Sequence, residues 1–138
     1  MFCGKCGANV PPQNNFCAKC GMSVSQNFAG KDADDYYIIL SKGKNVDYTN
    51  QSELAAMFET VRAPRVLIDL SRVEFVDSVG IGGLVTLIYK TNRTKQDVKF
   101  IITAAPILKA IKALGVDNVL NIYEDEAAAR TSWGIPNI

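Results

Sequence analysis

No histidine occurs anywhere in the 138 residues. That absence removes serine–histidine–acid triads, cysteine–histidine pairs and every metal site that needs imidazole. An excess of charge of either sign is missing as well: 15 basic and 14 acidic residues leave a formal net charge of +1. No strong electrostatic pull toward nucleic acid or an anionic membrane follows from that balance. Long apolar runs are absent; the longest, 80–89, falls far short of the ~20 residues that span a bilayer, so no membrane insertion is expected. The first residues, Met-Phe-Cys-Gly-Lys-Cys, lack a basic-then-apolar signal pattern, and the expected location is cytoplasmic.

What is present falls into two parts. Residues 1–24 hold all four cysteines and little that is large and apolar. Such a segment needs a staple to fold. The cysteines follow C-x2-C-x10-C-x2-C, at Cys3, Cys6, Cys17 and Cys20. Each CxxC pair makes a tight knuckle presenting two thiolates, and two knuckles complete a tetrahedron around one structural Zn²⁺. A reducing compartment favours thiolate–metal sites over disulfides. A redox dithiol is disfavoured by the two matched knuckles and by the lack of a thioredoxin-like β-α-β context.

This segment resembles the zinc-ribbon family, in the form Cys3-Gly4-Lys5-Cys6-Gly7 and Phe16-Cys17-Ala18-Lys19-Cys20-Gly21. Four thiolates on a divalent ion leave two negative charges, which Lys5 and Lys19 balance, and residues 1–22 contain no acid. A near-neutral ribbon is poor footing for phosphate binding, so a structural or protein-contact role is expected rather than nucleic-acid binding.

The stretch 25–35 is polar and rich in small residues and reads as a linker. From residue 36 to 138 strand and helix patterns alternate. Strands are expected at Tyr36–Leu40, Val66–Leu70, Val98–Ile102 and Leu120–Tyr123. Helices are expected after Thr49 or Asn50, after Asp77, from Pro106 to a stop at Gly115, and from Glu124 to Trp133. The alternation implies an α/β fold, a mixed, largely parallel sheet with helices packed against it.

Asp77-Ser78 stands where a strand hands over to a helix, and either residue could be the N-cap. Capping does not explain Gly80, Gly82 and Gly83 in the first turns, where each glycine costs about 1 kcal/mol relative to alanine. The expectation is that they keep the surface beside Ser78 low, so that another protein's active site can reach the hydroxyl.

The run Leu70-Ser71-Arg72-Val73-Glu74-Phe75-Val76-Asp77-Ser78-Val79-Gly80-Ile81-Gly82 resembles the signature of STAS domains, specifically bacterial anti-sigma factor antagonists. The resemblance extends over about residues 36–133. It implies a STAS-like fold and phosphorylation of Ser78 by a partner serine kinase that is also the anti-sigma factor, with a phosphatase to reverse it. It also implies partner binding through Asp77, Val79, Gly80, Ile81, Gly82 and Asp47, the last lying where the family has an acidic residue near the kinase-facing edge. Where the family has Ser or Thr after the acceptor, this chain has Val79.

Catalysis by the chain itself is not expected. Val76-Asp77-Ser78-Val79-Gly80 lacks the first glycine of G-x-S-x-G. Gly80-Ile81-Gly82-Gly83-Leu84-Val85 has valine where a dinucleotide fingerprint needs Gly or Ala, and no G-x4-G-K-[ST] loop occurs. Two functions remain: a phosphorylation-controlled binding module, or an unphosphorylated STAS scaffold tethered through its ribbon to a larger signalling or transport complex.

Overall fold

The computed structural model describes residues 7–9, 19 and 27–135. Cys3, Cys6, Cys17 and Cys20, and with them the expected zinc site, lie outside the described residues. The elements run β1 (Phe28–Asp32), β2 (Tyr37–Ser41), β3 (Asn45–Val46), α1 (Gln51–Glu59), β4 (Arg65–Asp69) and β5 (Phe75–Val76). Then come α2 (Ser78–Thr94), β6 (Asp97–Ile101), α3 (Ala105–Ala113), β7 (Ile122–Tyr123) and α4 (Glu126–Ser132).

Five strands form one sheet in the order β1-β2-β4-β6-β7. β1 runs antiparallel to β2, and every other pair is parallel. The expected α/β architecture is therefore present, with the parallel strands joined through helices. β4 is buried along Val66, Leu67 and Ile68 because both faces of the sheet are covered there. On one face, Ile39, Val66, Ile68, Val98 and Phe100 meet Leu54, Met57 and Phe58 of α1, Ile81, Leu84 and Leu87 of α2, and Ile107 and Ile111 of α3. On the other, Leu67 and Ile101 join Tyr36, Ile135 and Ala129 of α4.

A polar-aromatic layer fastens α4 to that second face. Lys99 is buried, and its Nζ donates to the Tyr123 hydroxyl at 3.0 Å while lying 4.8 Å from the Tyr123 ring and 5.2 Å from the Trp133 ring. A buried ammonium is tolerated where a hydrogen bond and ring faces replace water. Trp133 Nε1 donates to Asp97 Oδ2 at 2.9 Å, and the Tyr36 hydroxyl donates to Glu126 while accepting from Arg130. Burial first, and then the bond to Glu126, pushes the Tyr36 pKa above the usual tyrosine value.

Two local outcomes differ from expectation. The stretch read as linker contains β1, which pairs in register with β2 from Phe28↔Ser41 to Asp32↔Tyr37. Phe28 is fully buried in the main core, and Gly30 lies so close under Tyr37 that a Cβ there would fall 2.2 Å from its hydroxyl. Only one large apolar residue marks this strand, so alternation could not reveal it. The second difference concerns the helix after Asn50. Asn50 occupies the N-cap position of α1 but makes no side-chain cap bond. Its amide is engaged in the preceding loop, as described below. No helix among the described residues is long and apolar enough to cross a membrane.

Candidate functional site

A second, two-stranded parallel sheet builds the site. β3 and β5 pair through Asn45↔Phe75 and Val46↔Val76, which brings the chain before α1 beside the chain before α2. β5 ends directly at Asp77, the N-cap of α2, with extended backbone at φ −86° and ψ 178°. Of the two residues that could cap, Asp77 is the one that does. Its Oδ1 accepts from the Gly80 N–H at 2.7 Å, and its Oδ2 accepts from the Tyr48 N–H at 3.1 Å. One carboxylate thus closes the helix start and ties the β3–α1 loop to it.

Asp47 belongs to that loop. Its carboxylate accepts from the Thr49 N–H at 2.9 Å and from the Thr49 hydroxyl. Its own N–H donates to Asn50 Oδ1 at 3.0 Å, and Asn50 Nδ2 donates to the Asn45 carbonyl at 2.8 Å. Asn50 is buried, so satisfying its amide inside the loop avoids the cost of an unpaired polar group. The loop is therefore a closed set of short-range hydrogen bonds. It also lines a polar cleft of about 280 Å³ with Asn27, Gly43 and Lys44.

Ser78 is exposed at the first position of the 17-residue helix α2. The first-turn N–H groups of such a helix favour negative charge. Val79 is 49% exposed, Tyr48 75% and Phe75 54%, so three large apolar side chains stand in solvent on the segments that meet at Asp77. Isolated apolar exposure is ordinary, but three such residues around one helix start are a candidate contact surface. Tyr48 and Phe75 escaped the sequence reading because a single aromatic in Asp-Tyr-Thr-Asn, or one beside Val76, gives no periodic signal.

The glycines divide by role. Gly82 is exposed, with nothing within 4 Å of a Cβ placed there. Gly80 is buried, and a Cβ there would fall 2.3 Å from the Val46 carbonyl oxygen and 2.8 Å from Val76 Cγ1. A Cβ on Gly83 would meet the Gln51 side chain at 2.4 Å. These two glycines let α2 approach β3 and α1, and openness to a partner is not their role. Ile81 is likewise buried, in the main core, so Gly80 and Ile81 hold the site from beneath while Ser78, Val79 and Gly82 form its surface.

Chemically, the arrangement presents an exposed hydroxyl on a helix N-terminus, with its nearest carboxylate committed to two N–H donors. Among the described residues, no group of three or more His, Cys, Asp or Glu side chains is placed to hold a metal ion.

No curated protein matches the chain. Solved structures do. An anti-sigma factor antagonist from Mycobacterium paratuberculosis is similar at 22% identity and a TM-score of 0.68, over 76% of this chain and 91% of that one. The anti-sigma factor antagonist SpoIIAA in its unphosphorylated form is similar at 14% identity and a TM-score of 0.61, over 80% of this chain and 99% of that one. The same Bacillus protein, described as a cell fate determinant, is matched in its phosphorylated form at 14% identity and a TM-score of 0.58, over 76% and 98% of the two chains. SLC26A9 is similar at 18% identity and a TM-score of 0.62, over 74% of this chain but only 20% of that one. At such identities these likenesses speak for the fold alone. The family model described as STAS domain matches residues 31–129, a span that holds β2 through β7 and every residue around Ser78, and the chain belongs to the STAS domain family.

Proposed function

We propose that the chain is a binding module of the anti-sigma factor antagonist type, and that phosphorylation of Ser78 controls its hold on a partner serine kinase. The observation that carries this reading is the exposed Ser78 at the start of α2, among exposed Tyr48, Phe75 and Val79. Support comes also from the similar antagonist SpoIIAA, which is described in an unphosphorylated and a phosphorylated form.

The reaction belongs to the partner. Ser78 Oγ attacks the γ-phosphorus of ATP, the new O–P bond forms, the bond to the β–γ bridging oxygen breaks, and ADP leaves. The hydroxyl proton passes to a base of the kinase. The product carries about −1.5 to −2 charge at pH 7, which a helix N-terminus tolerates, so the fold survives. A partner surface closed over Ser78 would instead have to desolvate that phosphate beside the Asp77 carboxylate. The unmodified protein captures the kinase, and the modified protein lets go until a phosphatase restores the serine. Both steps take place in the cytoplasm on this reading.

Pull-down of the kinase should succeed with wild type and Ser78→Ala and fall at least tenfold with Ser78→Asp, a loss of about 1.4 kcal/mol or more. Incubation with the kinase and ATP should add one phosphate by intact mass, and none to Ser78→Ala. No phosphate on Ser78, together with full signalling by Ser78→Ala, would sink the switch.

The proposal for the N-terminal segment is that Cys3, Cys6, Cys17 and Cys20 hold one structural Zn²⁺, and that the near-neutral ribbon serves as a folded adaptor. Its support is the cysteine spacing. Native mass spectrometry should find one zinc, released on acidification as the thiolates protonate. Metal-free protein lighter by two hydrogens per cysteine pair would mean disulfides and end this reading.

A further inference from the structure

Asp77 serves two parts of the chain with its two oxygens. Oδ1 holds the Gly80 N–H within α2, and Oδ2 holds the Tyr48 N–H in the β3–α1 loop, 29 residues away in sequence. The base of that loop is held independently. Val46 is fully buried, Asn50 is buried and bonded to Asn45 and Asp47, and Gln51 packs over Gly83. The tip is closed on itself through Asp47 and Thr49, and one bond ties it to α2: Tyr48 is 75% exposed, and its backbone N–H donates to Asp77, next to Ser78.

The geometry points to Asp77 as a positioning residue through which a phosphate on Ser78 is registered at Tyr48. A phosphate on the adjacent residue places two negative groups at one helix start, competing for the same few N–H donors. Like charges at that separation repel. Of the two bonds that the carboxylate holds, the one to Tyr48 is the longer, 3.1 Å against 2.7 Å to Gly80, and it is the one given up. When the carboxylate turns, the Tyr48 N–H loses its acceptor and the β3–α1 loop loses its tie to the start of α2. Modification then changes two features of the contact surface together, the charge at Ser78 and the tie that holds the Tyr48 loop to α2. This deepens the proposed switch and rests on it for its occasion, while the coupling itself is a property of this chain.

The test installs phosphoserine at position 78 during synthesis, by an expanded genetic code, so that no kinase is needed. Amide hydrogen exchange is then read by NMR. The Tyr48 amide should exchange about tenfold faster in the phosphoserine protein than in the unmodified one, the fold-change of roughly one lost hydrogen bond. Val66 and Phe100, in the central strands, should be unchanged. Asp77→Asn supplies the second arm. An asparagine has one acceptor oxygen for two N–H donors, and the shorter bond to Gly80 keeps it, since Asn caps a helix as well as Asp does. Tyr48 in that variant should already exchange about tenfold faster without phosphate, and phosphoserine should add nothing further. A Tyr48 amide indifferent to phosphoserine, or unaltered in Asp77→Asn, would overturn the inference. A kinase that leaves Ser78 unmodified would overturn the proposed switch alone, because the encoded phosphoserine still decides the coupling.

Discussion

Phe28→Ala is expected to destabilise the domain by about 3–5 kcal/mol, the range for removing a fully buried aromatic side chain. Phe28 has no exposed surface and belongs to the cluster formed by Ile39, Val66, Phe100 and the inner faces of α1, α2 and α3. Its strand lies at one end of the order β1-β2-β4-β6-β7, and its burial is the strand's largest apolar contribution. A loss of that size is a large part of what a domain of this length possesses. Urea unfolding of wild type and variant, followed by circular dichroism, gives the difference directly. A change below about 0.5 kcal/mol, the usual scale for exposed positions, would return residues 27–35 to the status of a linker. The result bears on truncation too. A cut before residue 27 keeps β1 and loses only the Ala8 contact with the main core among those described, whereas a cut after residue 35 would take β1 with it.

Gly80→Ala and Gly82→Ala should move in opposite directions although the glycines lie in the same helical turn. At Gly80 the added methyl would fall 2.3 Å from the Val46 carbonyl oxygen and 3.0 Å from its carbonyl carbon, and this is backbone that cannot rotate away. Either α2 shifts at its first turn or the β3–β5 pair separates, and overpacking of this kind costs about 1–3 kcal/mol. The shift would also displace Ser78 and Asp77, so capture of the proposed kinase partner should weaken beyond what lowered stability explains. At Gly82 there is open space, and alanine recovers helix propensity of about 1 kcal/mol. Paired urea titrations and pull-downs would show both effects. Equal stability of the two variants would remove the close-approach account of Gly80.

Much of the architecture was legible because its signals are periodic or punctuated. Val66-Leu67-Ile68 is an apolar run, Pro106 and Gly115 bracket α3, and acidic residues precede α4; each matches an element in place. Gly115 takes the positive φ of 72° that a helix stop of this kind requires. Boundaries moved by a residue or two. The last helix is Glu126–Ser132, within the expected Glu124–Trp133, because Asp125 takes the N-cap and accepts from the Ala128 N–H. β1 was not legible, since Phe-Ala-Gly-Lys-Asp acquires strand character from its neighbour rather than from its own pattern.

The Asp77-Ser78 pair with which the candidate site begins was also readable from local chemistry, as a capping residue followed by a hydroxyl at a helix start. The assignment of Asp77 as cap required coordinates, because Asp and Ser are both good caps and only the geometry of the turn chooses between them. The same holds for the glycines. Sequence counts three in the first turns of α2, and only the packing of β3 and α1 against that helix separates the open Gly82 from the compressed Gly80 and Gly83.

The amino-acid sequence by itself determined that this chain has no imidazole chemistry, that it carries a cysteine quartet with ribbon spacing, and that an α/β domain presents Ser78 at a helix start. These follow from composition and from spacings of a few residues, where chain geometry leaves little choice. The tertiary structure alone decided that the Tyr48 loop meets the start of α2, that Gly80 is pressed against Val46, and that one Asp77 carboxylate holds both the helix and the distant loop. Those facts depend on the register of β3 against β5 across thirty residues of intervening chain. No local periodicity carries such a register; it comes from the fit of α2 into the floor that Val46, Gly80 and Gly83 leave open.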